Sequence, residues 1–282
     1  MLPNLIIIGA MKCGTSALHH YLSLHPEISM SKEKELNFFI RERNWEKGIA
    51  WYESNFTGEA KIYGESSPDY TNYPLLSGVP QAMHSLIPDA KLIYMVRDPV
   101  ERIISQYMHN RWSGIETRNI SEALRGAAGV PMEETRYIRR SKYYMQLEQY
   151  LAYFPKSHIL IITQEDLFKR RQQTLRQVFQ FLGVDGDFHS ELFSNLVHES
   201  SEKKGKNRLA LLLAQTRELG ILRRLPPPVR RPAEGAARFI LTSKIKRPAL
   251  DEKLRQQLIE ILREDIGRFR EFAGREFESW CV

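Results

Sequence analysis

The chain has 282 residues, of which 42% are hydrophobic and 27% are charged, and its formal net charge is +7. This composition is typical of a folded globular protein and excludes a wholly disordered or fibrous chain, while two cysteines, Cys13 and Cys281, are too few for a disulfide framework or a cysteine-based zinc site. Because no apolar run approaches the ~20 residues of a membrane span and the first residues lack the basic stretch of a signal peptide, we expect a cytoplasmic protein without stable membrane insertion.

Short apolar runs alternate along the chain with segments of helical periodicity. The runs that predict buried strands are residues 5–8, 61–63, 91–96 and 158–163. Helices are predicted after Thr15, after Asp98 and Pro99, over 143–154, over 166–182 with Gly183 as the cap, and between Asp251 and Gly274. This alternation predicts an α/β fold, in which a central parallel β-sheet is flanked by helices on both faces.

The segment after the first predicted strand, residues 9–16, is a candidate phosphate site, because ligands of such folds bind beyond the carboxyl ends of the strands. Gly14 permits close approach of the backbone, and the amides that begin the next helix attract anions. Lys12 precedes this glycine, whereas the lysine of the NTPase pattern follows it. The segment predicts a P-loop-like loop for a phosphorylated ligand; the alternative is an ordinary tight turn with an exposed lysine.

The segment after the third predicted strand also holds anion-binding groups. Arg97 follows the strand, Asp98 is suited to cap the next helix, and Ser105 lies two turns into it. A guanidinium and a hydroxyl supply donors for one anion, so Arg97 and Ser105 are predicted to converge on a phosphate. In the alternative, Arg97 pairs with a carboxylate and Ser105 faces solvent.

Basic residues are concentrated towards the C-terminal end. Residues 201–250 contain thirteen lysines and arginines against three glutamates, and the prolines within 223–232 exclude a helix interior there. We interpret 223–232 as an exposed connector. The basic segment favours an anionic partner, and from composition alone a solvated basic loop is an equal alternative.

Several motifs, taken in chain order, resemble those of sulfotransferases that use 3′-phosphoadenosine 5′-phosphosulfate (PAPS). They are residues 12–18 (KCGTSAL), 25–26 (HP), 35–39 (ELNFF), 48–52 (GIAWY), 65–70 (ESSPDY), 97–107, 140–143 (RSKY) and 244–280. The resemblance is to the branch that contains the heparan sulfate N- and O-sulfotransferase domains and their bacterial relatives. It implies a single sulfotransferase domain over 1–282, with a basic, Pro-rich segment at about 201–248.

The resemblance also implies which residues hold the nucleotide. Arg97 and Ser105 match the 3′-phosphate site, Tyr143 matches a tyrosine near the nucleotide, and Lys246 and Arg247 match a basic loop that closes over it. The residues matched to the 5′-phosphosulfate are Lys12, Cys13, Gly14, Thr15, Ser16 and Ala17. The implied co-substrate is PAPS, which leaves as adenosine 3′,5′-bisphosphate (PAP) with Lys12 stabilising the departing phosphate, and no metal is implied.

For catalysis, the resemblance implies in-line transfer of a sulfuryl group to a hydroxyl or amine acceptor. Glu35 matches the general base of the family, and Glu33 is an alternative two residues away. Where the O-sulfotransferases of this branch carry a lysine, this chain has Ser66. Either the arrangement of the base differs, or His109 or Glu65 compensates.

Two other functions are compatible with parts of the sequence. A P-loop-like NTP-dependent kinase would depend on Mg²⁺, and a non-catalytic polyanion-binding protein would use the basic segment. We favour the sulfotransferase, acting on a small-molecule or carbohydrate acceptor, without a nucleic-acid partner because the basic segment lacks interleaved aromatic residues. Sugar, lipid, polyketide and phenol hydroxyls stay open as acceptors, and the sequence predicts no oligomeric state.

Overall fold

The centre of the protein is a sheet of five parallel strands. The computed structural model describes residues 1–126, 129–194, 204–206, 242–244 and 247–282. The strands of the sheet are β1 (Leu5–Gly9), β2 (Ile28–Met30), β3 (Ile62–Ser66), β4 (Lys91–Val96) and β5 (Ile159–Thr163). Their order is β2–β3–β1–β4–β5, so β1 is central and the chain fills one side of it before crossing to the other.

Helices connect the strands and cover both faces of the sheet. In chain order the described helices are α1 (Thr15–Leu22), α2 (Gly48–Glu53), α3 (Val79–Leu86), α4 (Pro99–Trp112), α5 (Ile120–Arg125), α6 (Arg136–Arg139), α7 (Tyr143–Leu151), α8 (Gln164–Lys169), α9 (Arg171–Leu182) and α10 (Glu252–Ala273). Residues 5–8 of β1 have no exposed surface, as expected for a strand that is covered on both sides. The predicted α/β fold with a central parallel sheet is confirmed.

Two strands differ from the sequence prediction. β2 has three residues and no apolar run, and it forms because it pairs with β3, with Ile28 opposite Ile62. β3 is predicted to cover 61–63 but continues to Ser66, since its polar end pairs with β1. Both differences have one cause, which is that the neighbouring strand and not the local sequence decides whether a short or polar segment is a strand.

The helix predicted over 166–182 is two helices. The backbone leaves helical geometry at Arg170, which has φ −129° and ψ 43° and separates α8 from α9. The apolar stripe that carried the prediction lies in α9 alone, so it could not reveal the break. The cap at Gly183 (φ +76°) and the ends of the last helix at Asp251 and Gly274 (φ +62°) are confirmed.

The basic segment predicted at about 201–248 lies almost wholly outside the described residues. Of it, the structure describes the antiparallel pair β6 (Lys204–Lys206) and β7 (Thr242–Lys244), followed by Arg247 and Pro248. The organisation of the chain as one domain therefore stays a prediction. In the ranges that the structure describes, no helix combines the length and the apolar character that crossing a bilayer requires.

A half-buried carboxylate joins the last helix to the middle of the chain. The two oxygens of Asp265 in α10 accept the N–H groups of Tyr144 at 3.0 Å and Met145 at 2.8 Å, and so bind the first turn of α7. Burial raises the pKa of Asp265 to about 6, although the two backbone hydrogen bonds oppose the shift. Protonation removes the penalty of burying this charge, so the folded state gains stability as the pH falls through that value.

Asp265→Asn removes this titration and keeps an oxygen that accepts an N–H group. Because the pKa of Asp265 is raised in the folded state, the wild type gains stability as the pH falls through about 6, and the variant does not. We expect the loss of unfolding free energy caused by the substitution to be roughly 2–3 kcal/mol larger at about pH 4 than at about pH 8. Urea unfolding at both pH values measures this, and a loss that is independent of pH contradicts it.

Candidate active site

A cavity of about 340 Å³ opens where the strands of the sheet end, and its volume is in the range of small-molecule sites, roughly 300–1,000 Å³. The residues of its wall are Met11, Lys12, Gly14, Thr15, Ser16, Ala17, Lys34, Glu35, Pro68, Asp69, Arg97, Ser105, His109, Gln164 and Phe168. Each strand of the sheet contributes residues that follow it, because the carboxyl ends of parallel strands meet at one edge.

The segment between β1 and α1 forms the first wall of the cavity. Gly14 has φ +88°, a left-handed conformation that favours glycine, and α1 begins directly after it. No side chain caps α1, so the amides of Thr15 and Ser16 at its start have no partner within the helix. With Lys12 on the same wall, the segment offers amides and a cation to an anion.

Arg97 and Ser105 belong to the second wall, which follows β4. Nη1 of Arg97 donates to the Lys12 carbonyl at 3.4 Å, and Nη2 lies 3.6 Å from Oε2 of Glu101. The buried Nε of Arg97 makes no hydrogen bond to any residue that the structure describes. Ser105 and His109, four residues apart on α4, line the same cavity. The wall therefore holds a guanidinium with donors available to an anion.

Glu35 lies on the third wall, in the loop after β2. Its side chain is 54% exposed, and its Oε1 accepts a hydrogen bond from Nζ of Lys34 at 2.7 Å. Glu35 and Lys34 line the cavity, whereas Glu33 is exposed and lies outside its wall. Of the two carboxylates considered as the base, the structure thus brings only Glu35 to the cavity.

Asp69, which follows β3, contributes a second carboxylate to the wall. Its two oxygens pair with the guanidinium groups of Arg43 and Arg140. Burial alone would raise the pKa of Asp69, but the two arginines outweigh it and hold the pKa below its usual value. The negative charge is balanced inside the protein, so it opposes an anionic ligand only weakly.

Two side chains predicted to bind the nucleotide lie behind the cavity and not in its wall. Cys13 is fully buried, its Sγ is 3.8 Å from the hydroxyl of Tyr143, and burial raises the pKa of its thiol to about 11. Tyr143 is also fully buried, and its hydroxyl donates to the carbonyl of Arg97 at 2.8 Å. Neither side chain lines the cavity, and the Tyr143 hydroxyl supports the backbone that carries Arg97.

The predicted basic loop near the C-terminus is described only in part. Lys246 lies outside the described residues. Arg247 is exposed and pairs with Glu101, the carboxylate that also lies beside Arg97. Arg247 therefore contacts the α4 wall through Glu101, but it does not line the cavity.

Of the two residues considered as compensation for Ser66, only His109 lines the cavity. Glu65 is fully buried, and this burial raises its pKa against the hydrogen bonds that its carboxylate accepts from three hydroxyls. Glu65 does not line the cavity, so the structure does not bring its carboxylate to an acceptor bound there.

Sequence reasoning missed four polar or aromatic residues of the wall, namely Lys34, Asp69, Gln164 and Phe168. Gln164 and Phe168 follow β5, so the strand-end rule finds them once it is applied to the fourth predicted strand. Lys34 belongs to a charge run and Asp69 follows β3. For Lys34 and Asp69, the only indication in the sequence is that they lie near a predicted strand or motif. The fold shows that both line the cavity.

The parallel sheet and the anion donors at its edge define the chain as an α/β protein of the nucleotide-binding type. The sequence profile of the family described as sulfotransferase domain matches residues 2–223. The chain therefore belongs to the sulfotransferase domain family. This membership confirms the family that the sequence motifs predicted, and it favours a sulfotransferase over the kinase and the non-catalytic alternatives.

Relatives and solved structures agree with this membership. Human heparan sulfate glucosamine 3-O-sulfotransferase 6 is 34% identical over 188 residues, which are 64% of this chain and 52% of that protein. Human bifunctional heparan sulfate N-deacetylase/N-sulfotransferase 2 is 28% identical over 198 residues, which are 65% of this chain and 22% of that protein. The chain thus spans about half the length, or less, of these relatives.

Two solved structures share the fold. A sulfotransferase from Alicyclobacillus acidocaldarius covers 100% of both chains with a TM-score of 0.70 and 24% identity. A mouse sulfotransferase solved in complex with PAP covers 96% of this chain and 88% of that chain, with a TM-score of 0.51 and 14% identity. At these identities the likeness concerns the architecture, and it agrees with the predicted parallel sheet.

Gly14→Ala tests the left-handed conformation that begins α1. An added Cβ would lie 3.5 Å from Cγ of Gln164 and 3.6 Å from Cε of Met95, which are ordinary contacts, so the substitution isolates the positive φ. We expect the free energy of unfolding to fall by roughly 1–2 kcal/mol. Chemical denaturation measures the change.

Gly267→Ala is the matched control for this prediction. Gly267 lies inside α10, and an added Cβ would meet no atom within 4 Å. Because alanine has the higher helix propensity, we expect this variant to gain roughly 0.5–1 kcal/mol. If the free energy of unfolding changed in the same direction in both variants, the positive φ at Gly14 would not be the cause of the change in Gly14→Ala.

Proposed function

We propose that the chain transfers a sulfuryl group from PAPS to a hydroxyl of a carbohydrate acceptor and releases PAP. The observation that carries this proposal is that one cavity is lined by Lys12, Arg97, Ser105 and Glu35, which the sequence separates widely. Three of these residues suit the anionic ends of a nucleotide, and the fourth is an exposed carboxylate suited to act as a base. The cytoplasmic location stays a prediction.

The donors of the cavity fit a nucleotide that carries an anion at each end. The amides that begin α1, with the hydroxyls of Thr15 and Ser16, would hold the 5′-phosphosulfate. Arg97 and Ser105 would hold the 3′-phosphate. The fit is supported by Nε of Arg97, a buried donor that lacks a hydrogen bond within the described ranges and that a phosphate oxygen would satisfy.

Catalysis in this proposal depends on fixed charge and on position. When bound, PAPS supplies an activated sulfuryl group whose leaving group is a phosphate. Lys12 places positive charge against the negative charge that develops on that phosphate. Glu35 accepts the proton of the acceptor hydroxyl, and Lys34, with Nζ 2.7 Å from Oε1 of Glu35, holds the carboxylate in place. The chain thus aligns nucleophile and leaving group between a cation and a base.

A carbohydrate is proposed as the acceptor on two grounds. Relatives that are 34% and 28% identical are named for heparan sulfate, one for glucosamine 3-O-sulfation and one for N-deacetylation and N-sulfation. In this chain the side chain of Glu35 is 54% exposed, so a large acceptor can reach the base from solvent. A sugar hydroxyl is therefore the first acceptor class to test, and a sugar amine the second.

Arg97→Ala should weaken the binding of PAP. A hydrogen bond between charged partners contributes roughly 1.5–3 kcal/mol, so we expect the Kd for PAP to rise about 10- to 100-fold. Titration calorimetry, or the thermal stabilisation by PAP, measures this. Arg111→Ala is the control, because Arg111 lies on α4 outside the wall of the cavity. Equal weakening in both variants would mean that Arg97 is not a phosphate ligand.

Glu35→Gln should remove the base and keep the nucleotide site. We expect kcat for transfer to a saccharide acceptor to fall about 10²- to 10⁴-fold with an unchanged Kd for PAP. A mass increase of one sulfuryl group on the acceptor, with PAPS supplied, measures the transfer. Glu33→Gln is the matched control, since Glu33 lies outside the wall. If Glu33→Gln is the inactive variant instead, the assignment of the base is wrong.

A further inference from the structure

Glu65 is a fully buried carboxylate that the proposed reaction does not use. Its Oε1 accepts hydrogen bonds from the hydroxyls of Tyr52 and Tyr70, both at 2.7 Å, and its Oε2 accepts one from Ser67 at 2.9 Å. A buried carboxylate is unfavourable unless hydrogen bonds satisfy it. Three hydroxyl donors on one carboxylate therefore form a fixed network at the end of β3.

Two of these hydroxyls also hold the loop that follows β2. A hydroxyl has one proton, and because Ser67 and Tyr70 donate theirs to Glu65, their oxygens remain as acceptors. The Ser67 oxygen accepts the N–H of Asn37 at 3.0 Å, and the Tyr70 oxygen accepts the N–H of Phe39 at 3.3 Å. Glu65 thus sets the direction of two hydrogen bonds that it does not itself make.

A backbone contact completes the attachment of the same loop. The N–H of Glu35 donates to the carbonyl of Ser66 at 3.0 Å, so the alternate N–H groups at positions 35, 37 and 39 are all held by residues at the end of β3 or just after it. Glu35 and Asn37 have φ +67° and +50°, a conformation that is uncommon for residues other than glycine. These three contacts therefore help to hold the loop in its observed shape.

We propose that Glu65 is a positioning residue for the base, acting through Ser67 and Tyr70 to hold the loop that presents Glu35 to the cavity. The inference rests on the proposed role of Glu35 in sulfuryl transfer. Glu65 acts on the geometry of proton acceptance and takes no proton from the acceptor, because it is buried behind the wall. The hydroxyl of Ser66 has no part in this network, since it has no hydrogen-bond partner among the described residues.

The test compares two tyrosine variants that differ in one contact. Tyr70→Phe removes the hydroxyl that connects Glu65 to the N–H of Phe39. Tyr52→Phe removes a hydroxyl that donates to the same oxygen of Glu65, while its ring stays stacked on Phe38, with centroids 4.1 Å apart. Each variant loses one hydroxyl that donates to the carboxylate of Glu65. Only Tyr70→Phe also loses the hydrogen bond to the N–H of Phe39 in the loop.

We expect kcat for sulfuryl transfer to be roughly 10- to 100-fold lower in Tyr70→Phe than in Tyr52→Phe, because a displaced base slows the chemical step. The Kd for PAP should be the same in both, since the network does not touch the wall that holds Arg97. Ser67→Ala against Ser66→Ala is a second pair, in which only the first variant removes a hydroxyl bonded to Glu65 and Asn37. The same difference in kcat is expected there.

The outcomes separate this proposal from the function on which it rests. Equal kcat values within both pairs, in an enzyme that Glu35→Gln inactivates, would overturn the positioning role and leave the function in place. Absence of transfer by the wild type, or full activity of Glu35→Gln, would overturn the function instead. A parallel loss of kcat and of PAP affinity in Tyr70→Phe would indicate general damage to the structure and would also overturn the positioning role.

Discussion

The candidate site depends on the parallel pairing of β1 with β4. Ile7 lies opposite Ile93, so both strands run in the same direction and end at the same edge of the sheet. Beyond that edge, Arg97 donates to the carbonyl of Lys12 at 3.4 Å across a sequence separation of 85 residues. Two cations therefore reach one cavity because their strands are neighbours, and the uncapped start of α1 adds backbone donors between them.

Burial then divides the polar groups near this edge of the sheet into those that line the cavity and those that support the backbone behind it. Cys13 follows β1 directly after Lys12 and Tyr143 begins α7, yet both side chains are fully buried, and the Tyr143 hydroxyl supports the backbone of Arg97 from behind. The carboxylates divide in the same way. Glu65 is enclosed and accepts three hydroxyl hydrogen bonds, while Glu35 is open to solvent. A charged residue near the edge of the sheet therefore belongs to the candidate site only if its side chain also faces the cavity.

The sequence allowed the strands β1 and β4, the helix that follows Gly14 and the caps at Gly183 and Asp251 to be predicted, because each has a local physical signal. β2 and the polar end of β3 carried no such signal, since they are strands only through their neighbours. The break at Arg170 was hidden for a similar reason, as the apolar stripe lies wholly on one side of it.

By itself, the amino-acid sequence determined the class of the fold, the family and the types of group available for binding an anion, because apolar periodicity, helix caps and motifs are properties of neighbouring residues. Only the tertiary structure decided which of these groups meet. In the structure Glu35 lines the cavity and Glu33 does not, and the side chain of Tyr143 is buried behind the wall. Glu65 is connected through two hydroxyls to the loop that carries Glu35. Such contacts depend on the order of the strands and on burial, and both of these arise from residues that are distant in the chain.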